Sequence, residues 1–408
     1  MNDLSECVNV KKVGEVLVEV QRRKESRRDF LFGSPHLSVK GRRLVLGSAP
    51  NFRVGDRTYF DWKEAEAAAD QEQVSVVVGE GPGDLPFNRT AERQLAARTG
   101  VPLRFLDDLY EKNHGDLADH NLTTLLARST DRILIRTLDG QVRAVLSDSY
   151  RLLDNHDVFF AAADEFQKLG AVVWSARLWD DGFELLAVSP DVHGEVVRQF
   201  DAAGGDYHHA VFEKGGPDYG RPDVNAQGDV HNALVKVRNS ETGCGGLSCW
   251  LGTLRRACNN TMILGKAMTV VHLGRRHEGS DGVLYSDETR EAEDKTVWLK
   301  LRDTLRTAFD RDKFRVYMDR MNKIAAEKLP KPEKAVDAVV KEYELTVERR
   351  DQLLGYLFGG RDLTRYGLVN ACTRAAQDVD DEEASRLEEV GGKVAEMADG
   401  AFAQLVAA

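Results

Sequence analysis

Alternating apolar and polar residues predict an antiparallel β-sheet in the middle of this chain. The segment RILIRTLDGQVRAVLS, residues 132–147, alternates on both sides of Asp139–Gly140, a dipeptide typical of two-residue hairpin turns. The segment AVVWSARLWDDGFELLAVSP, residues 171–190, predicts a second hairpin that turns near Asp181–Gly182. ALVKVR, residues 233–238, predicts a further strand of the same kind.

Helical spacing of apolar residues occupies the segments around these strands. Between the two hairpins, Asp154 or Asn155 is expected to cap a helix that ends at Gly170. After a turn at Asn239–Gly246, residues 247–258 place apolar side chains on one stripe, and we predict a helix there. This stripe consists of Leu247, Trp250, Leu251, Leu254, Ala257 and Cys258. Further helices are predicted over residues 90–99, 102–111, 117–128 and 287–326, and beyond Pro330 and Pro332.

These elements predict an α+β protein. Its central antiparallel sheet has the order β-β-α-β-β…β-α and is backed by helices. We divide the chain into an N-terminal β-rich region, a helical segment, a central α+β core, a pair of charged helices and a C-terminal helical unit. The corresponding ranges are 1–87, 88–128, 129–280, 281–332 and 333–408.

Composition limits the kinds of partner that the protein is expected to bind and the compartment in which it is expected to occur. The formal net charge is −11, so a surface that binds anions has to be a local patch. The five cysteines form no even framework, the chain opens on no secretory signal, and no apolar run approaches the roughly 20 residues of a membrane span. We therefore expect a reduced, cytoplasmic protein without a membrane segment.

Basic residues recur on the predicted elements of the central core. With a two-residue turn, Arg136 would lie opposite Arg143, a repulsive pair that would be relieved either by an anion or by acidic neighbours or solvent. Cations that follow a row of phosphates are typical of single-strand binding without sequence preference. The candidate DNA-binding residues are Arg132, Arg136, Arg143, Arg151, Lys236, Arg238, Arg255, Arg256, Asn259 and Lys266.

Metal and catalytic motifs are weak in this sequence. Cys244, Cys249 and Cys258 are close together, with His272 and His277 downstream, but structural zinc usually takes shorter spacings between cysteines. Buried thiols are the favoured interpretation, and zinc is the alternative. The sequence contains no nucleophile elbow and no P-loop, and capping or turn roles explain its clustered aspartates. We expect no cofactor and no catalytic constellation.

Four segments resemble the phage/plasmid-like protein family, a group built around the domain of unknown function nine-three-two. One departure is that the family usually has a glycine after the asparagine, where this chain has Asn260–Thr261. The family implies no particular activity. The segments are VRAVLSDSYRLLDN (142–155), NSETG (239–243), LRRACNNTM (254–262) and LTRYGLVNACTRAAQ (363–377).

The order of elements is also similar to that of single-strand annealing proteins of the Rad type. In those proteins an arginine precedes a helix, as Arg151 does here, and a small-residue turn leads to a helix with a basic pair, which Arg255–Arg256 matches. This resemblance implies that the three arginines grip phosphates. It also implies rings or filaments that need no ATP.

The sequence therefore predicts a phage- or plasmid-type recombination protein. It would bind single-stranded DNA and promote ATP-independent annealing as a homo-oligomer, with a phage nuclease or a host single-strand-binding protein as further partners. The acidic cluster Asp378–Glu383 could compete for the DNA groove or recruit such a partner. The alternatives are a metal-dependent nucleic-acid-processing enzyme and a phage assembly or host-takeover protein that binds an acidic partner.

Overall fold

A computed structural model of the chain describes residues 10–46, 51–55, 57–59, 62–79, 83–148, 150–196, 229–256, 259–270 and 287–407. Within these ranges the predicted α+β class is confirmed, with antiparallel sheets and a C-terminal helical region. The strands form a six-stranded, a five-stranded and a three-stranded sheet.

The N-terminal third combines short strands with helices. Five basic residues lie within residues 22–28, where the first helix ends, and of these Arg27 is buried while Arg22 remains exposed. The three short helices predicted after residue 88 are confirmed. The elements are α1 (Val10–Ser26), β1 (Arg28–Gly33), β2 (Ser38–Lys40), β3 (Arg43–Val45), β4 (Asn51–Val54), β5 (Arg57–Tyr59), α2 (Trp62–Glu72), β6 (Val77–Gly79), β7 (Asp84–Pro86), α3 (Arg89–Thr99), α4 (Leu103–Glu111) and α5 (Gly115–Arg128).

The first predicted hairpin is confirmed as β8 (Arg132–Leu138) and β9 (Gln141–Ser147). Asp139 and Gly140 both adopt positive φ, as a two-residue hairpin turn requires. The hairpin does not join the second hairpin in one central sheet. It forms an edge of the six-stranded sheet, in the order β6-β4-β5-β1-β8-β9, because β8 pairs antiparallel with β1.

The five-stranded sheet is an antiparallel meander preceded by the helix predicted between the hairpins. Asp154 occupies the N-cap position of this helix, but its side chain makes no capping hydrogen bond. Gly170 follows that helix with a φ of +64°. The strands lie in sequence order across the sheet. The elements are α6 (Asn155–Lys168), β10 (Val172–Leu178), β11 (Phe183–Val196), β12 (Asp229–Asn239), β13 (Leu247–Arg255) and β14 (Asn260–Val270).

The predicted helix over residues 247–258 is wrong, because residues 247–255 form the strand β13. Both faces of the meander are covered, so apolar residues occur on both faces of β13 and imitate a helical stripe. On the face that we call the α6 face, Leu247 and Cys249 pack with α1 and α6. On the opposite face, Leu254 packs beside Trp250.

Helices make up the C-terminal third, as predicted. They are α7 (Asp287–Ala308), α8 (Arg311–Ala325), α9 (Pro332–Glu342), α10 (Val347–Gly359), α11 (Arg365–Ala375), α12 (Asp381–Glu396) and α13 (Asp399–Ala407). α7 packs on the α6 face through Val297 and Leu301. α12 contacts the opposite face of the meander, which we call the α12 face, through Ser385 and Glu389.

α12 and the edge strand β14 approach each other so closely that only glycine fits between them. A Cβ atom on Gly392 would lie 1.4 Å from the carbonyl oxygen of Ile263, which is backbone that cannot swing away. The C-terminal helices are therefore held against the sheet along the first half of β14.

This close approach predicts a steric defect in Gly392→Ala. We expect the free energy of unfolding to fall by at least about 1–3 kcal/mol, because the added methyl group forces α12 away from β14. Urea unfolding followed by circular dichroism measures the change. The matched control is Gly355→Ala in α10, where a Cβ meets nothing within 4 Å and the same substitution should stabilise the helix by about 0.5–1 kcal/mol. Equal effects of the two substitutions would contradict this packing.

Candidate nucleic-acid interface

Arg136 is buried at the junction of the two large sheets. Its side chain is 1% exposed, and its guanidinium donates to Asp29 Oδ1 at 3.0 Å, to Asp154 Oδ1 at 2.8 Å and to the carbonyl of Glu241 at 2.8 Å. Arg27 also pairs with Asp154. The prediction that Arg136 contacts phosphate is corrected, because carboxylates already enclose and neutralise it.

Arg143 is buried in the same region and pairs with Glu241 at 2.8 Å. The other carboxylate oxygen of Glu241 accepts the backbone N–H of Asn155 at 3.2 Å, so this glutamate also caps the first turn of α6. A register shift places Arg136 opposite Ala144 rather than opposite Arg143. Of the two alternatives for relieving arginine repulsion, acidic neighbours are the one that the structure contains.

Lys236 is fully buried beneath α12. Its ammonium lies 3.1 Å from Glu184 and 3.1 Å from Glu389, and it donates to the hydroxyl of Ser385. On β10, two strands away, Arg177 donates to both oxygens of Glu388, at 2.7 and 3.0 Å. Two carboxylates from α12 therefore occupy the place that the sequence assigned to DNA on this part of the sheet.

Arg255 is buried at the far end of β13. Its Nε donates to Asp229 Oδ2 at 2.6 Å. The hydroxyl of Tyr366 donates to the same carboxylate at 2.9 Å and lies 2.6 Å from His231 Nε2. The carboxylate and the tyrosine enclose the guanidinium, so the predicted phosphate contact at Arg255 is also corrected.

Two of the buried carboxylates, Asp154 and Glu184, have lowered pKa values. Burial alone would raise the pKa of Asp154, but Arg136 and Arg27 outweigh it and lower the pKa to about 2. Glu184 behaves in the same way, since Lys236 and Arg177 outweigh its burial and hold its pKa below the ordinary value. These carboxylates are therefore ionised counterions at neutral pH.

The other six candidates are partly or fully accessible, but they belong to separate elements. Arg132 begins β8 and Arg151 precedes α6; both are half-buried. Arg256 and Asn259 flank the β13–β14 connection. Lys266 lies across from Trp250, and Arg256 is six residues along the chain from Trp250. At about 3.3 Å per residue this separation is roughly 20 Å. The expected row of cations along a phosphate backbone is thus corrected to separated positions.

Three of these cations have no carboxylate partner within the described ranges. The Nε of Arg256 donates to the Asn232 side-chain carbonyl at 2.6 Å, and burial lowers the pKa of its guanidinium. Lys266 is exposed on β14. Arg238 lies over the ring of Trp179, 5.1 Å from its centroid.

Trp250 stands between two lysines on the α12 face. Cross-strand register places Lys236 on one side and Lys266 on the other. Their ammonium nitrogens lie 5.3 Å and 5.1 Å from the ring centroid. The sequence assigned Trp250 to the core, but its side chain is half-buried. We call Trp250 and Lys266 the rim site.

The groove beside Arg238 is acidic. It has more carboxylates than arginines in its lining, but Glu389 pairs with Lys236 and Glu383 pairs with Arg349, so Arg238 stands beside no surplus of positive charge. Its lining residues are Arg238, Asp380, Glu382, Glu383, Arg386 and Glu389.

The cysteines give no metal centre within the described part of the chain. Cys249 is buried, and burial raises the pKa of its thiol to about 12, while Cys244 is exposed on the turn before β13. No group of three or more histidine, cysteine, aspartate or glutamate side chains among the described residues could hold a metal ion. Cys258, His272 and His277 lie outside those residues.

No protein-family model matches the sequence, no curated protein matches it, and no solved structure matches the fold. The two resemblances stated from the sequence remain predictions. Among the helices that the structure describes, none combines the length and the apolar character needed to cross a bilayer.

The burial of Arg136 predicts a large loss of stability in Arg136→Met. We expect the free energy of unfolding to fall by about 3–5 kcal/mol, because Asp29 and Asp154 are left as buried charges without this partner. Urea unfolding measures the loss. The control is Arg302→Met on α7, an exposed arginine paired with exposed Asp303, which should cost less than about 1 kcal/mol. A loss at Arg136 no larger than at Arg302 would refute the buried ion-pair network.

The lowered pKa of Asp154 predicts a stability difference that depends on pH. A carboxylate whose pKa falls from 3.8 to about 2 on folding stabilises the protein above pH 3.8, and this stabilisation disappears as the pH falls towards 2. The gap in unfolding free energy between the wild type and Asp154→Asn should therefore narrow over that interval, as measured by urea unfolding at several pH values. Asp319→Asn on the exposed side of α8 is the control, for which we expect a small gap throughout.

Proposed function

We propose that this protein binds single-stranded DNA at the rim of its five-stranded meander and promotes ATP-independent annealing as a homo-oligomer. The observation that carries the proposal is the rim site, where an exposed lysine lies against a half-buried tryptophan on the edge of a sheet. An exposed cation beside an aromatic ring is the combination with which proteins hold a strand without reading its sequence.

The set of contacts is smaller than the sequence predicted. Lys266 is the principal phosphate contact, Arg256 and Asn259 form a second contact at the β13–β14 connection, and Arg238 stands at the acidic margin. Arg256 supports this assignment because it is a half-buried cation without a carboxylate partner among the described residues. An anion would supply the counter-charge that the other buried arginines receive from the protein.

Helices α11 and α12 leave the second half of β14 accessible on the α12 face, while α7 packs against Met268 on the α6 face. Asn260 contacts Asn370 and Gln377, and Gly392 packs on Ile263, so these helices cover the first half of the strand. Lys266, Ala267 and Thr269 are exposed beyond that point. A strand of DNA that follows this edge would leave most of its bases exposed to solvent, as annealing requires.

Salt dependence tests the proposal. We expect the affinity for a fluorescein-labelled single-stranded oligonucleotide, measured by anisotropy, to fall steeply with ionic strength. The double variant Arg256→Gln/Lys266→Gln should bind more weakly whatever the base sequence. The slope of log affinity against log salt should become shallower by about 1.4, because two phosphate contacts are lost at about 0.7 each.

The matched control for this experiment is Lys334→Gln/Lys341→Gln. It removes the same charge from exposed lysines on α9. This control should keep the wild-type slope. If both double variants bind alike, the interface is misplaced, and if the wild type binds no single strand at low ionic strength, the proposed function is wrong. Annealing of two complementary labelled strands without ATP then tests the second part of the proposal.

A further inference from the structure

We propose that the side of the Trp250 indole that faces β14 is a stacking position for one base of the bound strand. The inference rests on the proposed function, since it names the part of the ligand that this site recognises. It assigns to Trp250 contact with a nucleobase, which neither the overall charge nor the phosphate contacts require.

The two lysines beside Trp250 differ in their freedom to move. Lys236 is fully buried and fixed by Glu184 and Glu389, so its ammonium remains on the β12 side of the indole. Lys266 is exposed, and no carboxylate among the described residues lies within 4.0 Å of it. One side of the ring is therefore permanently covered, and the other is covered only by a mobile side chain.

Replacing Lys266 by a base at the ring is favourable. A cation over an aromatic ring at an exposed position contributes less than the stacking of a base on the same ring. The flexible stem of Lys266 lets its ammonium leave the indole and reach the phosphate next to the stacked base. Trp250 thus holds the base, and Lys266 neutralises the adjacent phosphate.

Trp250 is positioned for this task before any ligand arrives. Its inner edge packs beside the buried Leu186, Leu234 and Ile263 on the α12 face, so the orientation of the ring is fixed by the sheet. A fixed ring loses little conformational freedom when a base stacks on it. Burial of the indole in the core does not need the exposed Lys266 beside the ring. The presence of this cation therefore favours a contact between the ring and a ligand.

Binding of two oligonucleotides of equal length distinguishes contacts with bases from contacts with phosphates. One is oligothymidylate, and the other carries the same backbone with abasic residues at every position. We expect the wild type to bind the thymidine strand about tenfold more tightly than the abasic strand, in keeping with the loss of one stacked base. Trp250→Leu should reduce this ratio towards one, mainly by weakening the binding of the thymidine strand.

The circular dichroism spectrum and the urea unfolding midpoint of Trp250→Leu, compared with those of the wild type, show whether the variant is folded. Trp250→Phe keeps an aromatic face and should retain most of the preference for bases. The control is Trp298→Leu on α7, a half-buried tryptophan on the α6 face, which should leave the ratio as in the wild type.

The outcomes distinguish this inference from the proposed function. If the wild type binds both strands but Trp250→Leu keeps the wild-type ratio, stacking on Trp250 is overturned and the DNA-binding proposal stands. If the wild type binds the two strands equally, no base contributes and the inference is again overturned. If neither strand is bound at low ionic strength, both proposals fail together.

Discussion

A guanidinium group enclosed between two sheets constrains the N-terminal two thirds of this protein. Arg136 is buried, and a buried charge without partners is very costly, so Asp29, Asp154 and Glu241 must all converge on it. These partners come from β1, from the residue before α6 and from the turn between β12 and β13. The six-stranded sheet, the helix and the meander are therefore fixed relative to one another through one side chain.

Elements with a local signal were predictable from the sequence. The hairpin at Asp139–Gly140 and the end of α6 at Gly170 depend on backbone conformations that these residues favour, and both are confirmed. β13 was mistaken for a helix because its environment is set by distant segments. Helices α1 and α6 cover one face and α12 lies over the other, so neither face shows the polar side that identifies a half-buried strand.

The same limit applies to the candidate site. Basic residues are visible in the sequence, but the carboxylates that neutralise them lie far along the chain: 107 residues separate Arg136 from Asp29, and 153 separate Lys236 from Glu389. One signal was available. Lys236 stands in the apolar strand between Val235 and Val237, where a cation is more often buried with a partner than exposed. Lys266 and Arg256 differ from Lys236 in their positions. Lys266 lies in the second half of the edge strand β14, and Arg256 follows the last residue of β13.

The C-terminal helices determine which part of the meander an anion can approach. α12 supplies Glu388 and Glu389 to the cations on its side of the sheet, and its N-terminal end makes the groove beside Arg238 acidic. Lys266 lies beyond these ion pairs, where β14 emerges from beneath the helices, and it is the phosphate contact that we propose. Binding at the rim site does not require α12 to leave the sheet, and the close packing of Gly392 against Ile263 opposes such a movement.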